Sequence, residues 1–155
     1  MANSVSQVLL TEARLEAPKG DDVDPSTSLR TSLSSGAMVD FWGVVRELED
    51  GREIEGIDYE AHKAMAEHQM KIIADGATEN FRLNKVLLHH RIGFVHAGEA
   101  SLFLRVCSQH RAAAFEGSKW IMDELKKKVP IWKRPRFKSE GQVASPRGRR
   151  LQPQT

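Results

Sequence analysis

The sequence predicts a single α+β domain, a mainly antiparallel sheet with two principal helices packed on it, and three observations lead there. A chain of 155 residues matches one domain of ordinary size. Its hydrophobic periodicity switches between two and 3.6 along the chain. Its extended segments come in hairpin-like pairs, interleaved irregularly with helical ones, unlike the regular alternation of a doubly wound sheet. At this length the fold buries roughly two thirds of the unfolded surface and needs no staples.

Gln7 to Glu12 reads as a short strand, followed by Pro18-Lys19-Gly20 and a Ser/Thr-rich stretch, Ser26 to Ser35, without periodicity. Ala37 to Val45 is a nearly continuous apolar, β-prone run, the pattern of a strand buried on both faces. Asp50-Gly51 makes a turn, and Ile54, Ile57 and Tyr59 mark a further extended segment. Residues 37–60 therefore read as two antiparallel strands joined by a loop. Ala61, Met65, Ile72 and Ile73 share one face of a helix of about 15 residues ending near Asp75-Gly76. Lys85 to Ile92 and Ala100 to Ser108 are two more strands, the latter with Leu102, Leu104 and Val106 on one face; Gly93 and Gly98 bracket their connection. A second helix runs from about Ala112 to Lys128 with Ala114, Ser118, Ile121, Met122, Leu125 and Val129 in a stripe, and Pro130 stops it. Three regions result: an N-terminal strand and loop segment (1–35), the body of the domain (36–137), and a basic tail (138–155) too poor in apolar residues to pack and expected to be disordered.

The net charge of +2 conceals an asymmetry. From Lys126 to Arg150 there are ten basic residues and one acid, Glu140; the rest of the chain holds 13 basic against 20 acidic. One end of the chain attracts anions. A single cysteine, Cys107, excludes a disulfide scaffold and fits a reducing compartment. The longest early apolar run, Val8-Leu9-Leu10, is far short of a signal-peptide core, and no stretch approaches a membrane span. The expected location is the cytoplasm.

Metal chemistry finds no support: the six histidines lack ligand spacing, and neither His-Glu-x-x-His nor Cys-x-x-Cys occurs. Phosphate-cradling glycine loops are absent as well. His110-Arg111 is more informative. It lies where a strand gives way to a helix, so two donor side chains and the free N–H groups of a first helical turn meet, which suits a phosphate. Lys126 sits near the far end of that helix, roughly 22 Å away at 1.5 Å per residue. One pocket within one chain need not hold both, although a symmetric dimer can unite such patches. Lys126 to Lys128 also complement a helix C-terminal dipole, the plainer reading of that run. In Pro130-Ile131-Trp132-Lys133 the proline stiffens the backbone and two bulky apolar residues are expected to anchor it, holding Lys133 in place. Arg46, directly after the strand Ala37 to Val45, is another cation at the end of a rigid element.

These blocks resemble the MoaE family, the large, catalytic subunit of molybdopterin synthase. The resemblance runs in order through Gly36-Ala37 to Phe41-x-Gly43-x-Val45-Arg46, Tyr59-Glu60-Ala61 with Met65-Ala66, His90-Arg91-Ile92-Gly93 with Gly98-Glu99, Gln109-His110-Arg111-Ala112-x-Ala114-Phe115, and Met122-Asp123-x-Leu125-Lys126 leading into Val129-Pro130-Ile131-Trp132-Lys133. It implies a hammerhead-type α+β fold and conversion of cyclic pyranopterin monophosphate into the molybdopterin dithiolene. The sulfur comes from the C-terminal Gly-Gly thiocarboxylate of a small ubiquitin-like partner of the MoaD kind. A homodimer of large subunits forms the core of a heterotetramer. By position, Lys126 and Lys133 match catalytic lysines, and Arg46, His110 and Arg111 match substrate-binding residues, with no resident cofactor or metal. Two other readings compete: a non-catalytic anion or nucleic-acid-binding module, motivated by the basic C-terminal stretch, and an inactive assembly subunit of the same family. The interleaved aromatic and basic residues of an RNA-binding strand are missing, so no nucleic acid is expected.

Overall fold

The computed structural model describes residues 4–17 and 34–138. In chain order the elements are β1 (Val5–Thr11), β2 (Ala37–Val44), β3 (Leu48–Glu49), β4 (Arg52–Ala61), α1 (Lys63–Phe81), β5 (Leu83–Arg91), β6 (Gly93–His96), β7 (Ala100–Ser108), α2 (Arg111–Lys128) and β8 (Ile131–Phe137). One sheet has the order β1-β5-β7-β2; β1 runs parallel to β5 and the other pairs are antiparallel. In the second sheet β4 pairs with β3, β6 and β8, all antiparallel. The predicted α+β class, two helices on a mostly antiparallel sheet, is the observed one.

Both helices lie on the first sheet, α1 over β1 and β5, α2 over β7 and β2, and they pack on each other. Met70, Ile73, Ala74 and Ala77 of α1 and Ala114, Ile121 and Leu125 of α2 close the core over Val86, Leu88, Leu104 and Val106. The expected face of α1 needs correction. Of Ala61, Met65, Ile72 and Ile73 only Ile73 is a buried helical residue; Met65 and Ile72 point outward, and Ala61 belongs to β4. The buried stripe is Ala66, Met70, Ile73, Ala74 and Ala77, because small side chains let the helix lie close to the sheet and weigh little in a reading that favours large apolar residues. Nor does α1 stop at Gly76. It continues to Phe81 and is capped by Arg82 in the left-handed region, φ 57°, whose N–H returns to Thr78 O. A Cβ at Gly76 would stand 3.5 Å from the Trp120 ring, an ordinary contact, so the helix passes through this glycine without needing it.

Two expectations for residues 37–60 also change. Strand β2 pairs with β7, and β4 lies in the other sheet, so the two do not form a hairpin. The Asp50-Gly51 turn is taken by the small β3–β4 hairpin, with φ of 54° and 77° at its two central residues, the positive pair a two-residue turn of this kind requires. And β2 is not buried on both faces: it is the edge strand of its sheet, with Met38, Phe41, Trp42 and Val44 exposed. Val45, one residue on, is buried with Ile54, Ile57 and Val95 in a second, smaller core.

The segment after Pro130 is held differently from what the sequence suggests. Trp132 is 58% exposed and anchors nothing. The anchor is the backbone: β8 is registered along β4 from Ile131↔Ala61 to Phe137↔Ile54. The expected disordered tail lies, from residue 139 on, outside the described residues. No helix among those described is long and apolar enough to cross a membrane.

Candidate active site

Side-chain alternation along β8 separates its cations by face. Lys133 lies directly opposite Tyr59 in the register, on the same inner face as Ile131 and Pro135. Arg134 and Arg136 turn to the other face, where they pair with Glu60 and Asp58 at 2.5 and 2.9 Å. The Lys133 Nζ stands 3.9 Å from Glu49 Oε2 at the end of β3. Tyr59 forms the wall beside it. Its hydroxyl is hydrogen-bonded to Ser101, and its ring meets His90 edge-on with centroids 5.3 Å apart. Burial raises the Tyr59 pKa above its ordinary value, the Ser101 hydrogen bond opposes this, and the nearby Glu49 charge adds to the rise.

Burial pushes the His90 pKa down, against a smaller opposing effect of the contact, 2.8 Å, between Nδ1 and the Arg91 carbonyl oxygen. The native state therefore keeps His90 neutral where the unfolded chain, with a histidine pKa near 6.5, takes up a proton. The unfolded state binds more protons, so stability is greatest above about pH 6.5 and declines as pH falls toward the folded-state value. The expected result is a lower melting temperature at about pH 5.5 than at about 7.5, with a smaller decline in His90→Gln; an identical decline in both proteins would refute it.

At the end of α2 the three lysines separate by role. Lys127 and Lys128 close on Glu124 at 3.4 and 2.7 Å, and the Lys128 hydrogen bond above all holds that carboxyl below the usual carboxylate range. Lys126 has no carboxylate within ion-pair distance among the described residues. Arg46 and Arg111 are alike in this. Of the seven cations between Lys126 and Lys138, the other six each pair with an acid: Lys127 and Lys128 with Glu124, Lys133 with Glu49, Arg134 with Glu60, Arg136 with Asp58 and Lys138 with Glu53.

The topology distributes the five predicted residues over two poles. Strand β7 ends at Ser108 beside Ala37, the start of β2, and α2 begins at once and packs back over β7 and β2. His110 and Arg111 thus sit at the Ala37 end. His110 is the N-cap residue of α2 and its side chain makes no capping hydrogen bond, leaving the imidazole available; Ser108 Oγ donates to its carbonyl oxygen at 2.5 Å. With 18 residues α2 spans roughly 27 Å. Its other end brings Lys126 toward the far end of β2, where Arg46 follows Val45. Two hydrogen bonds brace Val45, with its N–H donating to Glu99 O and its carbonyl accepting from Gly98 N, at 3.0 and 2.8 Å. Lys133 joins this pole through the short Val129-Pro130 link and through Glu49. Chain connectivity thus links Lys126 to Lys133 through Val129-Pro130, and Lys133 through Glu49 to the segment that follows Arg46, while His110 and Arg111 lie at the other end of α2.

Sequence reasoning singled out neither Glu49 nor Ser101, and it took Tyr59 and His90 only as parts of motifs. Their partners lie on other elements: the β4–β8 register sets Tyr59 opposite Lys133, while Glu49, Ser101 and His90 reach this neighbourhood from β3, β7 and β5. Among the described residues no group of three or more His, Cys, Asp and Glu side chains is arranged to hold a metal ion. Cys107 is buried in β7.

Comparison with known proteins decides the lineage. The family model described as MoaE protein matches residues 19–128, more than two thirds of the chain. The chain belongs to the MoaE family. Among its relatives, the molybdopterin synthase catalytic subunit of Pyrococcus abyssi is 38% identical over 120 residues, covering 77% of this chain and 81% of that protein. That of Culex quinquefasciatus is 39% identical over 125 residues, covering 80% and 79%. Of solved structures, molybdopterin synthase from Staphylococcus aureus superposes with a TM-score of 0.65 at 32% identity, over 68% of this chain and 77% of the other. The complex of subunits 1 and 2 of the Helicobacter pylori molybdopterin-converting factor gives 0.61 at 17% identity, over 87% and 90%, a likeness of fold. The MoaE match includes Arg46, His110, Arg111 and Lys126 but stops short of Lys133, whose placement here comes from β8.

Proposed function

We propose that the chain is the catalytic subunit of a molybdopterin synthase. It transfers sulfur from the C-terminal thiocarboxylate of a small ubiquitin-like, MoaD-type partner to cyclic pyranopterin monophosphate. The observation that carries this reading is the set of cations Arg46, Lys126 and Lys133, the first two beside the ends of a strand and a helix and without a carboxylate partner among the described residues, the third fixed within β8. Both reactants are anions. Bringing a thiocarboxylate within about 4 Å of a phosphate costs about 4 kcal/mol at an effective dielectric near 20 unless cations intervene. Arginine supplies fixed, bidentate phosphate donors, and lysine supplies in addition a proton. As the sulfur bonds to a pterin-side carbon and water releases the acyl carbon as a carboxylate, the cyclic phosphate opens and its leaving oxygen needs that proton. Lys126 and Lys133 are the groups assigned to this transfer. The single buried thiol fits the cytoplasm as the place of action.

The second half of the site comes from a second copy. Strand β2 presents an unpaired edge with Met38, Phe41, Trp42 and Val44 exposed beside it. Antiparallel pairing of two β2 edges about a two-fold axis sets the Ala37 end of each copy, with His110 and Arg111, against the Val44 end of the other, with Arg46. Each of two identical sites then draws phosphate donors from one copy and lysines from the other. In dimers assembled from equal amounts of Lys126→Ala and His110→Ala chains, half the dimers are mixed and each mixed dimer keeps one intact site. The expected activity is about a quarter of wild type. Activity no higher than that of either parent would refute sharing of the site.

The test of the function is conversion of the pterin precursor by this protein together with a thiocarboxylated small partner, with a carboxylate-ended partner as control. Dithiolene product with the thiocarboxylate alone is the expected result. A stable complex without product would overturn it in favour of an inactive assembly subunit.

A further inference from the structure

We infer that Glu49 is the positioning residue for Lys133, a role that rests on the reading of Lys133 as a proton-transfer group. A lysine side chain carries its charge on a flexible four-carbon stem, so a half-exposed lysine has no single position unless something holds its tip. Lys133 is held at three points. Its backbone is registered on β4, Tyr59 stands opposite it on the inner face, and Glu49 meets its Nζ at 3.9 Å. Glu49 is itself well placed to be the fixed member of the pair: its side chain is 19% exposed against 51% for Lys133. It is the last residue of β3, paired with Arg52 across the Asp50-Gly51 turn, a two-residue hairpin with little freedom.

The other acids on the neighbouring strand do not compete. Glu60 and Asp58 are occupied by Arg134 and Arg136 on the opposite face of β8, which leaves Glu49 as the carboxylate within ion-pair distance of Lys133 among the described residues. Glu49 lies three residues beyond Arg46, so the same short stretch of chain that carries a phosphate donor also carries the carboxylate that aims the lysine.

Glu49→Gln keeps the size and removes the charge. The expected result is a kcat lowered roughly ten- to a hundredfold, as for a misplaced reacting group, with KM for the partner and for the precursor within about twofold of wild type and an unchanged melting temperature. Glu47→Gln, an exposed acid two residues away, should leave turnover unchanged. In a Lys133→Ala background the Glu49→Gln substitution should cause no further loss, since the two act through one ammonium group. Wild-type turnover by Lys133→Ala would overturn the assignment of Lys133 itself. A large loss in Lys133→Ala, together with wild-type kcat in Glu49→Gln or with losses that simply multiply in the double variant, would overturn the role of Glu49 and leave that of Lys133 standing.

Discussion

Lys126→Ala and Lys133→Ala should each cut dithiolene formation by roughly two orders of magnitude or more while the protein stays folded. The two lysines are well suited to a clean test because neither supports the fold. Lys126 has no carboxylate partner among the described residues, and Lys133 is half exposed with one partner at 3.9 Å, a pair of the kind worth at most about 1 kcal/mol at a surface. Lysine-to-arginine variants separate the two contributions of an ammonium group. Arginine keeps the positive charge between two anionic reactants but does not surrender a proton near neutral pH, so Lys126→Arg or Lys133→Arg should retain complex formation and remain slow. Full turnover in both alanine variants would remove the proton-transfer assignment. Full turnover in the arginine variants alone would reduce the lysines to charge neutralisation.

Gly56→Ala should be the most destabilising single methyl addition in the second sheet. Strand β4 runs between β6 and β8 at this point, with Gly56 registered against His96 on one side and Arg136 on the other. An added Cβ would collide with the Val95 carbonyl oxygen, lie 2.6 Å from Phe94 Cζ and lie 2.9 Å from His96 Cα. Two of the three obstacles are backbone, so relief requires the strands to separate rather than a side chain to rotate. A loss of about 3 kcal/mol follows, or a fall in melting temperature on the order of 10 °C for a domain of this size. Thermal unfolding measures it directly, and a midpoint within about 2 °C of wild type would show that β4 and β6 part more easily than the geometry implies. Because Lys133 is registered on β4, sulfur transfer should fail at a lower temperature in this variant than in wild type.

How far the site was legible differs from residue to residue. Arg46, His110, Arg111 and Lys126 stand where a strand or helix begins or ends, and such boundaries are local events written in capping residues, periodicity and Pro130. Lys133 was found for a mistaken reason: Trp132 was expected to anchor it by burial, whereas the strand ladder does so and the indole is exposed. The apolar run of β2 was read as a strand covered on both faces, and within one chain it is an edge. Its composition fits cover by a second copy, which the pattern of a single sequence cannot distinguish from cover by its own chain. Glu49 was not legible at all, because nothing near it in sequence marks it apart from its exposed neighbours Glu47 and Glu53.

The sequence by itself determined the types and order of most elements, the α+β class, the family, and the position at element ends of four of the five candidate site residues, Arg46, His110, Arg111 and Lys126, because these depend on interactions within a few residues. Only the tertiary structure decided that β4 leaves β2 for a sheet of its own, that Lys133 shares a face of β8 with Ile131 and Pro135 while Arg134 and Arg136 take the other, that Glu49 meets Lys133, and that His110 and Arg111 lie a helix length from Lys126. Each of these depends on strand register or on the direction of packing. The partners Tyr59 and Lys133 are 74 positions apart, and a shift of one residue in their register would exchange the inner and outer faces of β8 without changing a letter of the sequence.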